Sequence, residues 1–146
     1  MARLRPDPSF YPSPKLAMEA PPERLAYVAL LGSEGRRDAI GVVDTDSESR
    51  SFGRLVGLAE LPQGDNELHH FGWNACSSHL CPYAGNAHVE RRYLVVPGTH
   101  STRIHILDTK PDPRQPVLVK VIEGEEVMAK TGYAAPHTVH CGPDGI

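Results

Sequence analysis

The sequence lacks any apolar run long enough to cross a membrane as a helix, and it lacks a cluster of basic residues. A membrane-spanning protein is therefore not expected. With a net charge of −3, the chain is also short of the positive charge that neutralises phosphates, so nucleic acid is not an expected partner. The opening stretch MARLRPDPSFYPSP is too polar and too rich in proline for a secretory signal, which predicts a cytoplasmic protein.

Cysteine is scarce as well, and its number is odd. Three cysteines among 146 residues do not predict a disulfide framework. Eight histidines accompany them, and this combination favours metal or thiol chemistry in a reducing compartment. Long helices are not expected, since fourteen prolines and thirteen glycines interrupt the chain. A hydrophobic content of 40% is nevertheless enough for one globular domain.

What the chain does contain is a series of short apolar runs separated by turn residues. Prolines in the first part predict an extended N-terminal arm over residues 1–24, with a short helix over Pro14–Ala20 as an option. After the arm, the runs predict two groups of three strands, over 25–31, 39–44 and 52–61 and then over 92–97, 103–108 and 117–122.

The two groups of strands show the same order of motifs. Tyr27-Val28 matches Tyr93-Leu94, and Val42-Val43-Asp44-Thr45 matches Ile106-Leu107-Asp108-Thr109, where each aspartate is expected to hold the turn that follows it. Such repetition is typical of radially arranged sheets. We therefore predict an all-β fold in which units 25–61 and 92–122 form about two blades, plus the start of a third, of an incomplete β-propeller domain over 25–146. A β-sandwich and a chance similarity are the alternatives.

Two loops rich in histidine, 67–81 and 136–141, precede equivalent places in the repeat. Equivalent positions in successive propeller blades come to the same end of the central channel, so the repeat predicts that the two loops converge. Imidazole nitrogens are ligands for zinc, iron and copper, and copper has the highest affinity in this order. The candidate metal ligands are His69, His70, His137 and His140.

A simpler interpretation stands beside this one. A histidine in a loop is commonly a solvated or hydrogen-bonded side chain, and spacing alone favours neither reading for the four candidates. Three of the other histidines, His88, His100 and His105, receive only the simpler interpretation. A structural zinc site is not favoured, because Cys76-x4-Cys81 is followed by a single further cysteine, Cys141.

One string is specific enough to indicate a family. Glu67-Leu68-His69-His70-x-Gly72-Trp73-Asn74-x-Cys76-Ser77-Ser78 resembles the signature of the selenium-binding protein family, whose members include methanethiol oxidases. Tyr93-Leu94-Val95-Val96-Pro97-Gly98, Ser101-x-Arg103-Ile104 and His137-Thr138-x-His140-Cys141 continue the resemblance in the same order. The collinear matches extend over residues 25–146.

The resemblance implies a propeller of about seven blades. It also implies copper-dependent oxidation of methanethiol, with oxygen and water, to formaldehyde, hydrogen sulfide and hydrogen peroxide. Carried over by position, it implies His69, His70, His137 and His140 as copper ligands and Cys76 as the catalytic thiol near them. The expected partners are thus a small-molecule thiol and oxygen, and selenium is an alternative bound species.

The chain corresponds to roughly the N-terminal third of a family member. Since two units cannot close a propeller, the remainder of the propeller is a further expected partner, and activity from this chain alone is not expected. Three hypotheses follow: the N-terminal portion of a methanethiol oxidase, a selenium- or metal-binding module without turnover, and an inactive truncated remnant.

Overall fold

The computed structural model describes residues 22–74 and 91–140. Within them the chain forms β1 (Leu25–Leu30), β2 (Ala39–Asp44), β3 (Leu55–Glu60), β4 (Gly72–Trp73), β5 (Tyr93–Pro97), β6 (Ile104–Asp108), β7 (Val117–Ile122) and α1 (Gly124–Thr131). Nearly all of the predicted N-terminal arm, including the optional helix over Pro14–Ala20, lies outside the described residues.

The strands form two antiparallel sheets in which neighbours in sequence are also neighbours in space. Sheet 1 has the order β1-β2-β3, and sheet 2 has the order β4-β5-β6-β7. The predicted all-β character is confirmed, and all six predicted strands are present. Strand β4 was not predicted, because two residues are too few to show an alternating apolar pattern.

Each sheet has an aspartate at the end of one of its strands: Asp44 is the last residue of β2, and Asp108 is the last residue of β6. Asp44 accepts a hydrogen bond from the backbone N–H of Asp46 at 2.9 Å. Asp108 accepts one from the backbone N–H of Lys110 at 3.0 Å. The expectation that these two carboxylates hold the following turns is therefore confirmed, and the two units share this device.

The two sheets pack against each other across one hydrophobic core. Its buried members come from both sheets and from the segment after β3: Ile40, Ala59, Leu61, Leu68, Leu94, Val96 and Leu107. At its margin the rings of Tyr27 and Trp73 meet edge to face, with 5.6 Å between their centroids. Because side chains alternate along a strand, the opposite side of β1 faces outward, where Val28 and Leu30 remain exposed.

The loop between β6 and β7 closes over sheet 1 and links the two units. The carbonyl of Pro113 accepts a hydrogen bond from the hydroxyl of Tyr27 at 2.8 Å. The guanidinium of Arg114 lies 3.6 Å from the carboxylate of Asp44. Gly57 lies beneath the same loop, and a side chain there would overlap the carbonyl oxygen of Arg114. Glycine is thus required at this point of β3 by the close approach of two backbones.

Helix α1 is short and lies at the end of sheet 2. It ends at Gly132, whose φ of 75° is favourable for glycine. On its exposed side Glu126 and Lys130, four residues apart, pair at 2.6 Å. Among the described residues, no helix has both the length and the apolar character needed to cross a membrane.

The core packing predicts a large difference between two leucines that are close in sequence. Leu61 is fully buried and Leu58 is 48% exposed. Replacing Leu61 by Ala should lower the free energy of unfolding by about 2–5 kcal/mol through lost contacts and a cavity. Leu58→Ala should lower it by less than about 1 kcal/mol. Urea denaturation of both variants measures the difference, and equal losses would contradict the packing described above.

The buried aspartates predict an acid-sensitive stability. Hydrogen bonds from the Ser51 and Ser49 hydroxyls hold the pKa of Asp44 at about 2, below its usual value. Hydrogen bonds from the Arg92 guanidinium do the same for the pKa of Asp108, also about 2. A carboxyl whose pKa is lower in the folded protein than in the unfolded chain increases the free energy of unfolding above pH ~4. This contribution is lost as the pH falls towards ~2, where the carboxyl becomes protonated in both states.

Thermal unfolding between pH 7 and pH 2 tests this expectation with Asp44→Asn. The melting temperature of the variant should lie below that of the unmodified chain at pH 7, because the amide accepts the hydroxyl hydrogen bonds less well. The gap should narrow as pH falls from about 4 to 2, since the carboxyl of the unmodified chain then becomes protonated. A gap that stays constant over this window would contradict the assignment.

Candidate metal centre

The first two candidate histidines lie on the segment 65–70, which runs beside the turn that follows β5. The backbone N–H of Thr99 donates to the carbonyl of Glu67 at 3.1 Å, and that of His69 donates to the carbonyl of Pro97 at 3.4 Å. These hydrogen bonds tie the segment to the end of sheet 2. The histidine side chains are thereby placed on a defined backbone at the margin of the fold.

The backbone of the same segment is strained at three places. Asp65, Glu67 and His70 have φ values of 57°, 54° and 28°. Residues other than glycine rarely adopt a positive φ, and this backbone conformation persists only where surrounding contacts hold it in place. Strain of this kind is concentrated at binding and catalytic sites, and here it lies directly beside two histidines.

A second segment brings the next histidine to the same place. The N–H of Ala135 donates to the Thr102 hydroxyl at 3.2 Å, and the Thr99 hydroxyl donates to the carbonyl of Pro136 at 3.2 Å. Further along, the N–H of Val139 donates to the carbonyl of His70 at 3.1 Å. The chain that follows α1 is therefore fastened to the same turn as the first segment.

Three imidazole rings meet where the two segments cross. The His137 ring centroid lies 4.6 Å from that of His69 and 4.6 Å from that of His70. The His69 and His70 centroids are 5.7 Å apart. One ring nitrogen from each of the three lies within 4.8 Å of the others. The predicted convergence of the two histidine loops is thus observed for three of the four candidates.

The three ring nitrogens of this trio lie within 4.8 Å of one another. Two nitrogens that each lie ~2.0 Å from one ion are at most roughly 4 Å apart, so the three imidazoles can hold one metal ion if they draw slightly closer together. The rings of His69 and His70 are stacked, with an angle of 19° between their planes. The side chains of His70 and His137 are exposed, and three protein ligands would leave an open position for a substrate.

Hydrogen bonds to neighbouring side chains help to orient two of the rings. His69 Nε2 lies 3.3 Å from the carboxylate of Glu67. His137 Nδ1 lies 3.0 Å from the hydroxyl of Thr138. When one ring nitrogen of a histidine is engaged in this way, the other is the one available to a metal.

The remaining predicted site residues have different positions. His140 is described but does not belong to the trio of approaching nitrogens. Cys76, the candidate catalytic thiol, lies outside the described residues, as do Cys81, His88 and Cys141. Among the histidines given the simpler interpretation, His100 is exposed beside Asp65 at 3.0 Å.

His105 is more deeply buried than its place on an alternating strand indicated. Its side chain is fully buried, and its Nδ1 lies 3.3 Å from the carbonyl of Val96. Burial lowers the pKa of His105, so the ring is neutral at neutral pH. This side chain belongs to the core between the sheets and not to the trio.

Sequence reasoning missed the residues that hold the histidine segments in place. Thr102 binds the second segment, and Asp38, which is buried, binds Asn66 of the first. Their partners lie far away in the chain, so no local pattern could identify them. The one available signal was an asparagine next to the histidine string, a residue type that commonly bonds to backbone groups.

A cavity of about 580 Å³ opens beside β4, the strand that follows His70. Its walls include Tyr27, Phe71, Trp73 and Arg91. The guanidinium of Arg91 lies 5.0 Å from the centre of the Trp73 ring. The residues directly after the first histidine pair therefore line a space large enough for a small molecule.

Comparison with known proteins gives consistent results along the whole chain. Residues 4–146 match the family model described as 56kDa selenium binding protein (SBP56). Selenium-binding protein 2 of Arabidopsis thaliana is 46% identical over 138 residues, which are 92% of this chain and 28% of the relative. Methanethiol oxidase of Mus musculus is 36% identical over 139 residues, again 92% of this chain and 28% of the relative.

A solved structure is also similar. The X-ray structure of a hypothetical selenium-binding protein from Sulfolobus tokodaii superimposes with a TM-score of 0.86 at 58% sequence identity. The match covers 94% of this chain and 31% of that one. The chain thus spans less than a third of the length of these relatives. A family model that matches nearly every residue, together with these identities, establishes that the chain belongs to the selenium-binding protein family.

Proposed function

We propose that this chain is the N-terminal, metal-binding portion of a copper-dependent methanethiol oxidase. The observation that carries the proposal is the approach of His69, His70 and His137 to within 4.8 Å of one another, from segments far apart in sequence. Relatives named methanethiol oxidase support the reaction class. Imidazole nitrogens are a donor set well suited to copper.

We further propose that the two sheets are adjacent blades of a β-propeller. Leu94 and Val96 of β5 are 1% and 0% exposed, because sheet 1 covers them. Val28 and Leu30 hold the equivalent places in β1, yet they are 40% and 37% exposed. By the logic of the repeat, this open face of sheet 1 is the place where another sheet packs. Head-to-tail packing of this kind closes into a ring.

The proposed reaction converts methanethiol, oxygen and water into formaldehyde, hydrogen sulfide and hydrogen peroxide. Bound copper would supply a redox centre able to take electrons from a thiol and pass them to oxygen. His69, His70 and His137 would hold it and leave one side open to solvent and substrate, and His140 stays a proposed fourth ligand. Cys76 stays the proposed catalytic thiol.

The second candidate function is binding of selenium or a metal without turnover. One observation favours it for this chain in isolation: the matched residues are only 28% of the length of the oxidase relatives. Catalytic groups on other blades would then be required for the reaction. Three imidazoles are a donor set for a metal, but on this second proposal they would bind it without turnover.

Copper titration of the 146-residue chain tests the trio directly. We expect one copper ion per chain, and we expect His137→Ala to weaken the affinity by more than about 100-fold, since loss of a direct ligand exceeds loss of an outer partner. The matched control is His100→Ala, which removes an exposed imidazole outside the trio. Equal affinities for the unmodified chain and the His137 variant would refute the ligand assignment.

Oxygen-dependent release of hydrogen peroxide from methanethiol separates the oxidase from the binding module. A protein of the relatives' length that carries these residues should release peroxide when loaded with copper. Replacing His69 and His70 by Ala together should abolish both the release and the bound copper, whereas His100→Ala should preserve both. Tight copper binding without any peroxide release would favour the binding module.

A further inference from the structure

Asn66 is the buried centre of the segment that carries the first two histidines. Its side chain is 0% exposed. Its amide Nδ2 donates to the carboxylate of Asp38 at 3.0 Å and to the carbonyl of Gln63 at 2.9 Å. Its backbone N–H also donates to Asp38, at 2.8 Å. Asn66 thus donates three hydrogen bonds, two of them to Asp38 beside sheet 1.

Asp38 is itself fixed in place. It is 1% exposed and directly precedes β2, the middle strand of sheet 1. While one carboxylate oxygen accepts both bonds from Asn66, the other accepts the backbone N–H of Gly32 at 2.8 Å. A buried carboxylate needs hydrogen-bond donors. Asp38 has three, of which one comes from Gly32 in the loop between β1 and β2 and two come from Asn66 in the segment after β3.

The same segment is also hydrogen-bonded to the turn after β5. The N–H of His100 donates to the carbonyl of Asn66 at 3.0 Å, and Leu68 pairs with Gly98 in an isolated antiparallel bridge. The fit is close, since a side chain at Gly98 would come within 3.0 Å of Asn66. Asn66 is therefore clamped between sheet 1 and sheet 2, three residues before His69.

We propose that Asp38 and Asn66 are positioning residues for the three-histidine centre. The inference rests on the proposed function of that centre. The strained backbone on either side of Asn66, at Asp65 and Glu67, persists only if something holds it, and these hydrogen bonds do so. Without them the segment would relax, and the first two imidazoles would lose their fixed distance from His137.

The test uses two isosteric substitutions at opposite ends of the same strand. Asp38→Asn leaves one acceptor oxygen where there were two, so either the N–H groups of Asn66 or the N–H of Gly32 face an amide donor, and the anchor is weakened. Asp44→Asn makes the same chemical change at the far end of β2, where the carboxylate holds a turn with Ser49 and Ser51. Both remove a buried carboxylate and both lower stability, but only the first touches the histidine segment.

Two measurements are made on each variant at a temperature where it is folded. In the metal-free chain, the imidazole carbon–proton NMR signals of His69, His70 and His137 report the mutual placement of the rings, which affect one another's shifts. In the copper titration, Asp38→Asn should lower affinity by about 10-fold or more, the cost of losing an outer partner, and the Cu²⁺ paramagnetic resonance spectrum should change. Asp44→Asn should leave the ring signals, the copper affinity and the Cu²⁺ spectrum as they are in the unmodified chain.

Asn66→Ala provides a second variant in case Asp38→Asn does not fold. It keeps the backbone N–H but removes both amide hydrogen bonds, and it should shift the ring signals in the same direction. Ring signals that are unchanged in both variants, or changed equally by Asp44→Asn, would overturn the positioning role. Failure of the unmodified chain to bind copper would instead overturn the proposed function, while the NMR comparison would still decide the positioning role.

Discussion

The positions of the histidine side chains relative to the two sheets depend above all on one backbone contact, the pairing of the segment 66–69 with the turn 97–100. This contact joins the end of one structural unit to the first hairpin of the next. It sets where Leu68 enters the shared core and where the adjacent histidine side chains emerge. Hydrogen bonds between backbones are directional, so the imidazoles inherit a position that flexible loops could not provide.

The polar groups buried near this contact are a further mark of specialisation. Among the described residues, the buried side-chain atoms without a hydrogen-bond partner are Gln63 Oε1, Asn66 Oδ1 and His105 Nε2. Two of them lie in the segment just before the histidines. A buried polar atom without a hydrogen-bond partner lowers the free energy of unfolding, so such atoms are rare in native structures. Two of them close to Asn66 indicate that this region is not arranged for stability alone.

The strands were predictable because their residues alternate or cluster in apolar runs, and the turns because aspartate and glycine mark them. The family was predictable from the string around His69 and His70. The anchors of the histidine segments were not, because Asp38 and Thr102 act across distances of 28 and 33 residues. The convergence of His137 with the first pair followed from the repeat, but the repeat did not distinguish His137 from His140, and only His137 belongs to the trio.

Gly57 has a consequence for how such a protein can evolve. Repeated units that arise by duplication begin as interchangeable parts, and recombination can shuffle them. Here the backbone at Arg114 occupies the space where a side chain at position 57 would lie. A unit carrying any larger residue there could not accept this neighbour unless the loop around Arg114 moved, so exchanging one unit alone would require a change in the other.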